Sequence, residues 1–226
     1  MDNQVRIITA ISVLIFFVMI ALAAVNGING FIPDILIFIG LTLFYAWTYN
    51  TFRMNTPIFT LLIIGHILHS CGIFGWYHIS PLPIQWDHIT HFFGAMPFAL
   101  LFFNFLAQWA DAKWFTRKNL SLLFIVFFAA MGVGAIVELS EFVGFLSLGF
   151  GEGAFMFGAG DSVEGLEGNS LIEAIGGGWI NTGWDLTFNT IGILFGIAVM
   201  IISKLVVRKP AKAYYFEPIE SFSKRI

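Results

Sequence analysis

Six apolar stretches, each long enough to cross a bilayer, limit what this chain of 226 residues can become. A helix needs about 20 predominantly apolar residues to span the hydrocarbon. The stretches run roughly over 5–25, 31–49, 58–77, 89–109, 120–148 and 186–207. Backbone in lipid must satisfy its own hydrogen bonds, which leaves helices or closed barrels, and runs of this length select helices. The breaks carry turn chemistry: Asn26-Gly27-Ile28-Asn29-Gly30, Asn55-Thr56-Pro57, Pro81 with Pro83, and Ala110-Asp111-Ala112-Lys113. The expected fold is all-α: a polytopic membrane helical bundle of about six transmembrane helices, in a single membrane domain covering 1–226. Composition agrees. Hydrophobic residues make up 58% and charged residues 11%, against roughly 25% charged in soluble domains, which excludes a large soluble domain. The lipid bilayer is therefore the implied partner. A net charge of -3 argues against nucleic acid, and the lone Cys71 excludes an internal disulfide or a multi-Cys metal centre.

Lys and Arg set the expected orientation. With the N-terminus inside, all 11 basic residues fall on the inner side: Arg6, Arg53, Lys113, Arg117, Lys118, Lys204, Arg208, Lys209, Lys212, Lys224 and Arg225. That is a one-sided positive-inside pattern. It predicts a multi-pass protein of a prokaryotic plasma or inner membrane with both termini cytoplasmic and a cytoplasmic tail over 208–226. Ala21-Leu22-Ala23 resembles a signal-peptidase site, but the apolar run before it is long for a leader, so the first span is read as retained. The last outer connection, 149–184, reads as an acidic, Gly-rich outer loop. It holds 11 of the 23 glycines, together with Glu152, Asp161, Glu164, Glu167 and Glu173 and no base. Loops this long are usually functional or disordered. Its apolar pieces, 154–158 and 171–178, are compatible with a folded lid.

The spans are nearly free of ionisable groups, so the exceptions are informative, because intramembrane charges usually face the bundle interior and serve function. Here they sit at helical spacing: Asp87, His88 and His91 at the start of the fourth span, Glu138 and Glu141 in the fifth, Asp185 and Asn189 at the start of the sixth, and His66 and His69 in the third. At 1.5 Å per residue, His91 and Asn189 lie about 6 Å below the outer end, and Glu138 and Glu141 about 27–32 Å up from the inner end of theirs. Three helices thus bring Asp87, His88, His91, Glu138, Glu141, Asp185 and Asn189 to one level near the outer face. His69 lies deeper, where it supports the site from beneath.

Imidazole and carboxylate on facing helices form a metal-ligand inventory suited to zinc, iron or manganese. Di-metal bundles build such sites from inward Glu and Glu-x-x-His pairs. Here the elements are separated as His-x-x-His and Glu-x-x-Glu. His88, His91, Glu138, Glu141 and Asp87 are the expected ligands of a divalent metal. Glu138, Glu141 and Asp185 are the expected catalytic carboxylates, and Asn189 and His69 the supporting groups. The plain structural alternative makes Asp87 and Asp185 helix N-caps, where Asp is favoured. The glycines Gly132 and Gly134 in the fifth span, and Gly192 and Gly196 in the sixth, would let helices approach closely.

Taken together, Asp-His-Ile-Thr-His-Phe-Phe-Gly at 87–94, Glu-Leu-Ser-Glu at 138–141 and Trp-Asp-Leu-Thr-Phe-Asn-Thr-Ile-Gly at 184–192 resemble the YjdF-like inner membrane proteins and the broader VanZ-like group. Those proteins show a D-x-x-x-H-type motif, a Glu-containing helix, and a D-x-x-x-[ND]-x-x-G motif opening a later span. The resemblance covers roughly residues 35–207, in order and spacing. It implies an inner-membrane location and, through the association of the VanZ name with glycopeptide resistance, cell-envelope chemistry. Three functions remain open on these residues. One is a metal-dependent hydrolase acting on a lipid or envelope substrate. The others are a cation or proton transporter, and a non-catalytic membrane scaffold tied by its polar cluster.

Overall fold

The computed structural model describes residues 3–148, 163 and 165–206. The cytoplasmic tail expected over 208–226, and Glu152, Asp161 and Glu164 of the expected outer loop, lie outside the described residues. Among those described, six helical spans are long and apolar enough to cross a membrane: Asn3–Val25, Asn29–Thr48, Thr56–Trp76, Trp86–Trp109, Arg117–Leu146 and Gly168–Val206. They are built on the α-helices α1 (Asn3–Val25), α2 (Ile32–Thr48), α3 (Thr56–Cys71), α4 (Trp86–Leu106), α5 (Arg117–Val143) and α6 (Gly168–Val206). The protein is an all-helical membrane bundle.

Local chemistry sets several boundaries. Asn55 caps α3, its Oδ1 accepting from the Ile58 N–H at 2.9 Å, and Pro57 sits in the first turn, where a missing N–H costs nothing. Thr116 caps α5 by accepting from the Asn119 N–H at 3.2 Å. After α3 the chain makes one wide π-type turn over Gly72–Trp76, in which Gly75 takes a φ of 108°. Only glycine adopts that conformation without strain.

Polarity is arranged as lipid requires. Large apolar side chains face outward, including Leu14 at 64%, Phe128 at 64% and Ile136 at 67% exposure, while Glu138 is buried at 1%. α4 is the hub, packing along α3, α5 and α6. The α4–α6 approach rests on two glycines. A Cβ at Gly192 would strike the Phe92 carbonyl oxygen, and one at Gly196 would stand 2.8 Å from the Met96 carbonyl oxygen. On the neighbouring seam, a Cβ at Gly134 of α5 would come within 2.8 Å of Asn189 Nδ2. Of the four glycines expected to permit close approach, three do so, the α6 pair facing α4 and Gly134 facing α6, whereas a Cβ at Gly132 would meet nothing within 4 Å.

One boundary differs from the sequence reading. Residues 168–184, expected as loop, are the first part of a single 39-residue helix, α6. Gly176, Gly177 and Gly178 carry little helix propensity. The segment nevertheless has a face to bury: Gly178 and Thr182 are buried, and Trp179 meets Phe142 edge-on at 5.6 Å. Tertiary packing overrides propensity there.

Candidate metal centre

The longer α6 removes the capping explanation for Asp185, which sits well inside the helix. Asp87 does not cap α4 either: Gln85 holds the cap position and Asp87 lies in the first turn. Both aspartates instead face His91. The His91 imidazole is the centre of the arrangement. Its Nε2 lies 3.3 Å from Asp87 Oδ1 and 3.7 Å from Asp185 Oδ1. Its Nδ1 lies 3.0 Å from Glu138 Oε1. Glu138 Oε1 also accepts from Asn189 Nδ2 at 3.4 Å. Glu141, one turn beyond Glu138, completes the second side.

Two triads therefore share one ring: Asp87, His91 and Asp185 on the Nε2 side, and His91, Glu138 and Glu141 on the Nδ1 side. In each, ligand-type atoms lie within 4.8 Å of one another. The geometry brings six of the expected residues together: Asp87, His91, Glu138, Glu141, Asp185 and Asn189. His88 stands outside both triads, its ring stacked on Phe188 at 4.1 Å. His69 lies beneath, hydrogen-bonded through Nδ1 to the Tyr77 hydroxyl at 3.0 Å. His66 reaches Tyr45 Oη at 3.3 Å and stacks between Phe38 and Tyr45.

Buried carboxylate oxygens without donors define the chemistry. Both Asp185 oxygens and Glu141 Oε1 have no hydrogen-bond donor among the described residues. A bare carboxylate in a low-dielectric interior is costly unless a cation or a proton neutralises it. One imidazole and four carboxylates can hold a divalent cation, share protons, or do both.

Two features escaped sequence reasoning. Tyr77 reaches back to His69 because the chain kinks at Phe74 and Gly75 and Gly72 leaves room, a Cβ there striking the edge of the Tyr77 ring. The Gly-x-x-Gly-x-Tyr order at 72–77 was the available signal. Asp34, in the first turn of α2, is buried at 1% with neither oxygen partnered among the described residues, and it belongs to neither triad. A single acid with no polar neighbour at helical spacing gives no pattern to notice.

Bundle and cluster together define a polytopic helical membrane protein with a buried His/carboxylate centre. Residues 5–206 match the family described as "Predicted membrane protein (DUF2238)", and the chain belongs to that family. No curated protein and no solved structure matches it.

Proposed function

We propose that this protein is a metal-dependent hydrolase of the membrane, acting on a lipid or envelope substrate at the outer leaflet. The observation that carries the reading is the His91 ring held between two carboxylate sets, each with unpartnered oxygens: Asp185 on the Nε2 side and Glu141 on the Nδ1 side. The Nε2 side is assigned to the metal. The 3.0 Å contact of Nδ1 with Glu138 suits an N–H donated to a carboxylate, which leaves the Nε2 lone pair for a cation. Metal-binding histidines are commonly oriented in this way. Asp87, His91 and Asp185 would then be the ligands of zinc, iron or manganese. Three protein ligands leave a position at which a bound metal lowers the pKa of water and polarises a substrate oxygen. Glu138, steadied by Asn189, fixes the tautomer of His91. Glu141, beside it, is the proton acceptor.

Orientation and resemblance extend the reading. One-sided Lys and Arg support a prokaryotic inner-membrane protein with both termini cytoplasmic, its cluster facing outward. The motif order supports kinship with the YjdF-like and VanZ-like proteins, and with it an envelope substrate. Elemental analysis of purified protein tests the core of the proposal. Wild type is expected to retain about one divalent ion per chain, one per three-ligand site, and Asp185→Asn to lose it. A wild type free of metal at pH 7–8 defeats the hydrolase reading and leaves a proton-shared scaffold.

A second reading, a proton or cation pathway, draws on one observation. Below the cluster, His69 with Tyr77 and His66 with Tyr45 continue a line of polar side chains deeper into the bundle. Proton flux into proteoliposomes that is lost in His66→Phe would favour it.

A further inference from the structure

Beneath the cluster lies a half-enclosed cavity of ≈ 90 Å³. Its upper end is polar, formed by Thr90, His91 and Asn189, and the rest is mainly apolar, with Leu62, Val133 and Phe98 among its walls. His66 and His69 also line it; Tyr45 engages Nε2 of His66, whose ring is stacked on Phe38, and Tyr77 engages Nδ1 of His69. α3 and α5 each pack along α4, with no comparable packing on one another, so the wall between them is the weak one.

We infer that this cleft seats one hydrocarbon chain of a membrane amphiphile whose polar head meets Asp87, His91 and Asp185. The inference rests on the hydrolase reading for what happens at the head and names the substrate class that reading leaves open. Depth carries it. Thr90 lies about 6 Å and Phe98 about 18 Å along α4 from Trp86, and half of a bilayer's hydrocarbon is about 15 Å thick. The cleft thus runs through a single leaflet, from the level of the cluster to the bilayer centre. Its size sets the occupant. A dry apolar cavity of about 150 Å³ accepts benzene. This smaller one accepts a segment of alkyl chain and excludes a head group or a sugar. The rest of the chain lies between α3 and α5, in continuity with the lipid.

Gly94 offers the means of testing this. It lines the cavity, and a Cβ added there meets nothing within 4 Å. Gly94→Leu fills the cleft from α4 without striking backbone. Gly132→Leu on α5 serves as control, since a Cβ there also meets nothing and Gly132 does not line the cavity. The probe is a phosphatidylglycerol carrying a photoactivatable diazirine midway along one acyl chain, reconstituted with the full-length protein in nanodiscs. Adducts are mapped by mass spectrometry and metal is measured on the same samples. Wild type should label at Leu62, Val133 or Val137. Gly94→Leu should lower that labelling about tenfold at unchanged metal content, and Gly132→Leu should alter neither. Labelling confined to outward-facing residues such as Phe128 or Ile136 in the wild type overturns the inference, whatever the variants do. So does undiminished cavity labelling in a folded Gly94→Leu. Metal retained without cavity labelling refutes the cleft alone. Cavity labelling without metal refutes the hydrolase and leaves a lipid-binding site.

Discussion

At the level of single residues, the shared ring of His91 makes the two sides of the cluster interdependent. His91→Ala removes the group common to both triads. It is expected to abolish metal retention by dialysed protein, read by elemental analysis. Glu138→Gln keeps shape and removes the charge that orients His91, so a graded loss is expected. Loss of such an orienting partner typically costs about 10–100-fold in metal affinity. A titration with a competing chelator distinguishes the two. An unaltered affinity in Glu138→Gln would place the metal elsewhere. The pH dependence follows in sign. Ligands must shed protons before binding, so affinity rises with pH at about tenfold per unit for each proton displaced. An affinity flat between pH 5 and 8 would mean that no ligand proton is released.

Among the helices, the approach of α4 and α6 is the tightest seam, and Gly192 is its most exacting position. Gly192→Ala sets a methyl against the Phe92 carbonyl of α4, and overpacking of this kind typically costs about 1–3 kcal/mol. A lower unfolding temperature in detergent is the expected result, accompanied by loss of metal, because the same seam aligns His91 with Asp185. The opposite sign is expected at Gly176 and Gly177. They are helical, and an added Cβ meets nothing within 4 Å. Alanine at each should stabilise by about 0.4–1 kcal/mol, raising the unfolding temperature. These helices also indicate what a sequence can disclose. Span order and the common level of His91, Glu138, Glu141 and Asp185 were legible because apolar runs mark helices and the rise per residue is constant. The choice of His91 over His88 was not. Both lie at the start of α4, and only the rotation of α4 against its neighbours turns one inward and stacks the other on Phe188. The early start of α6 was hidden by glycines and acids that read as loop. Tyr77 was hidden because it arrives through the kink at Phe74 and Gly75, which breaks helical spacing from His69.

For the whole molecule, the one-sided distribution of Lys and Arg yields a topology that can be tested without any assay of function. Reporter fusions after residues 30 and 80 should read as external, and fusions after 53, 115 and 226 as cytoplasmic. External labelling of Lys113 or Lys118 in intact cells would invert the arrangement. It would also move the cluster to the cytoplasmic leaflet without changing its geometry. The length of α6 has a mechanical consequence. Its 39 residues extend for about 58 Å, close to twice the hydrocarbon thickness of about 30 Å. Asp185 lies about 26 Å from the helix start at Gly168. The leading part of α6 thus reaches well beyond the bilayer thickness on one side of Asp185, held to α5 where Trp179 meets Phe142. A displacement of that end of α6 would reach both sides of His91 at once, through Asp185 at Nε2 and through Asn189, which donates to the Glu138 carboxylate at Nδ1.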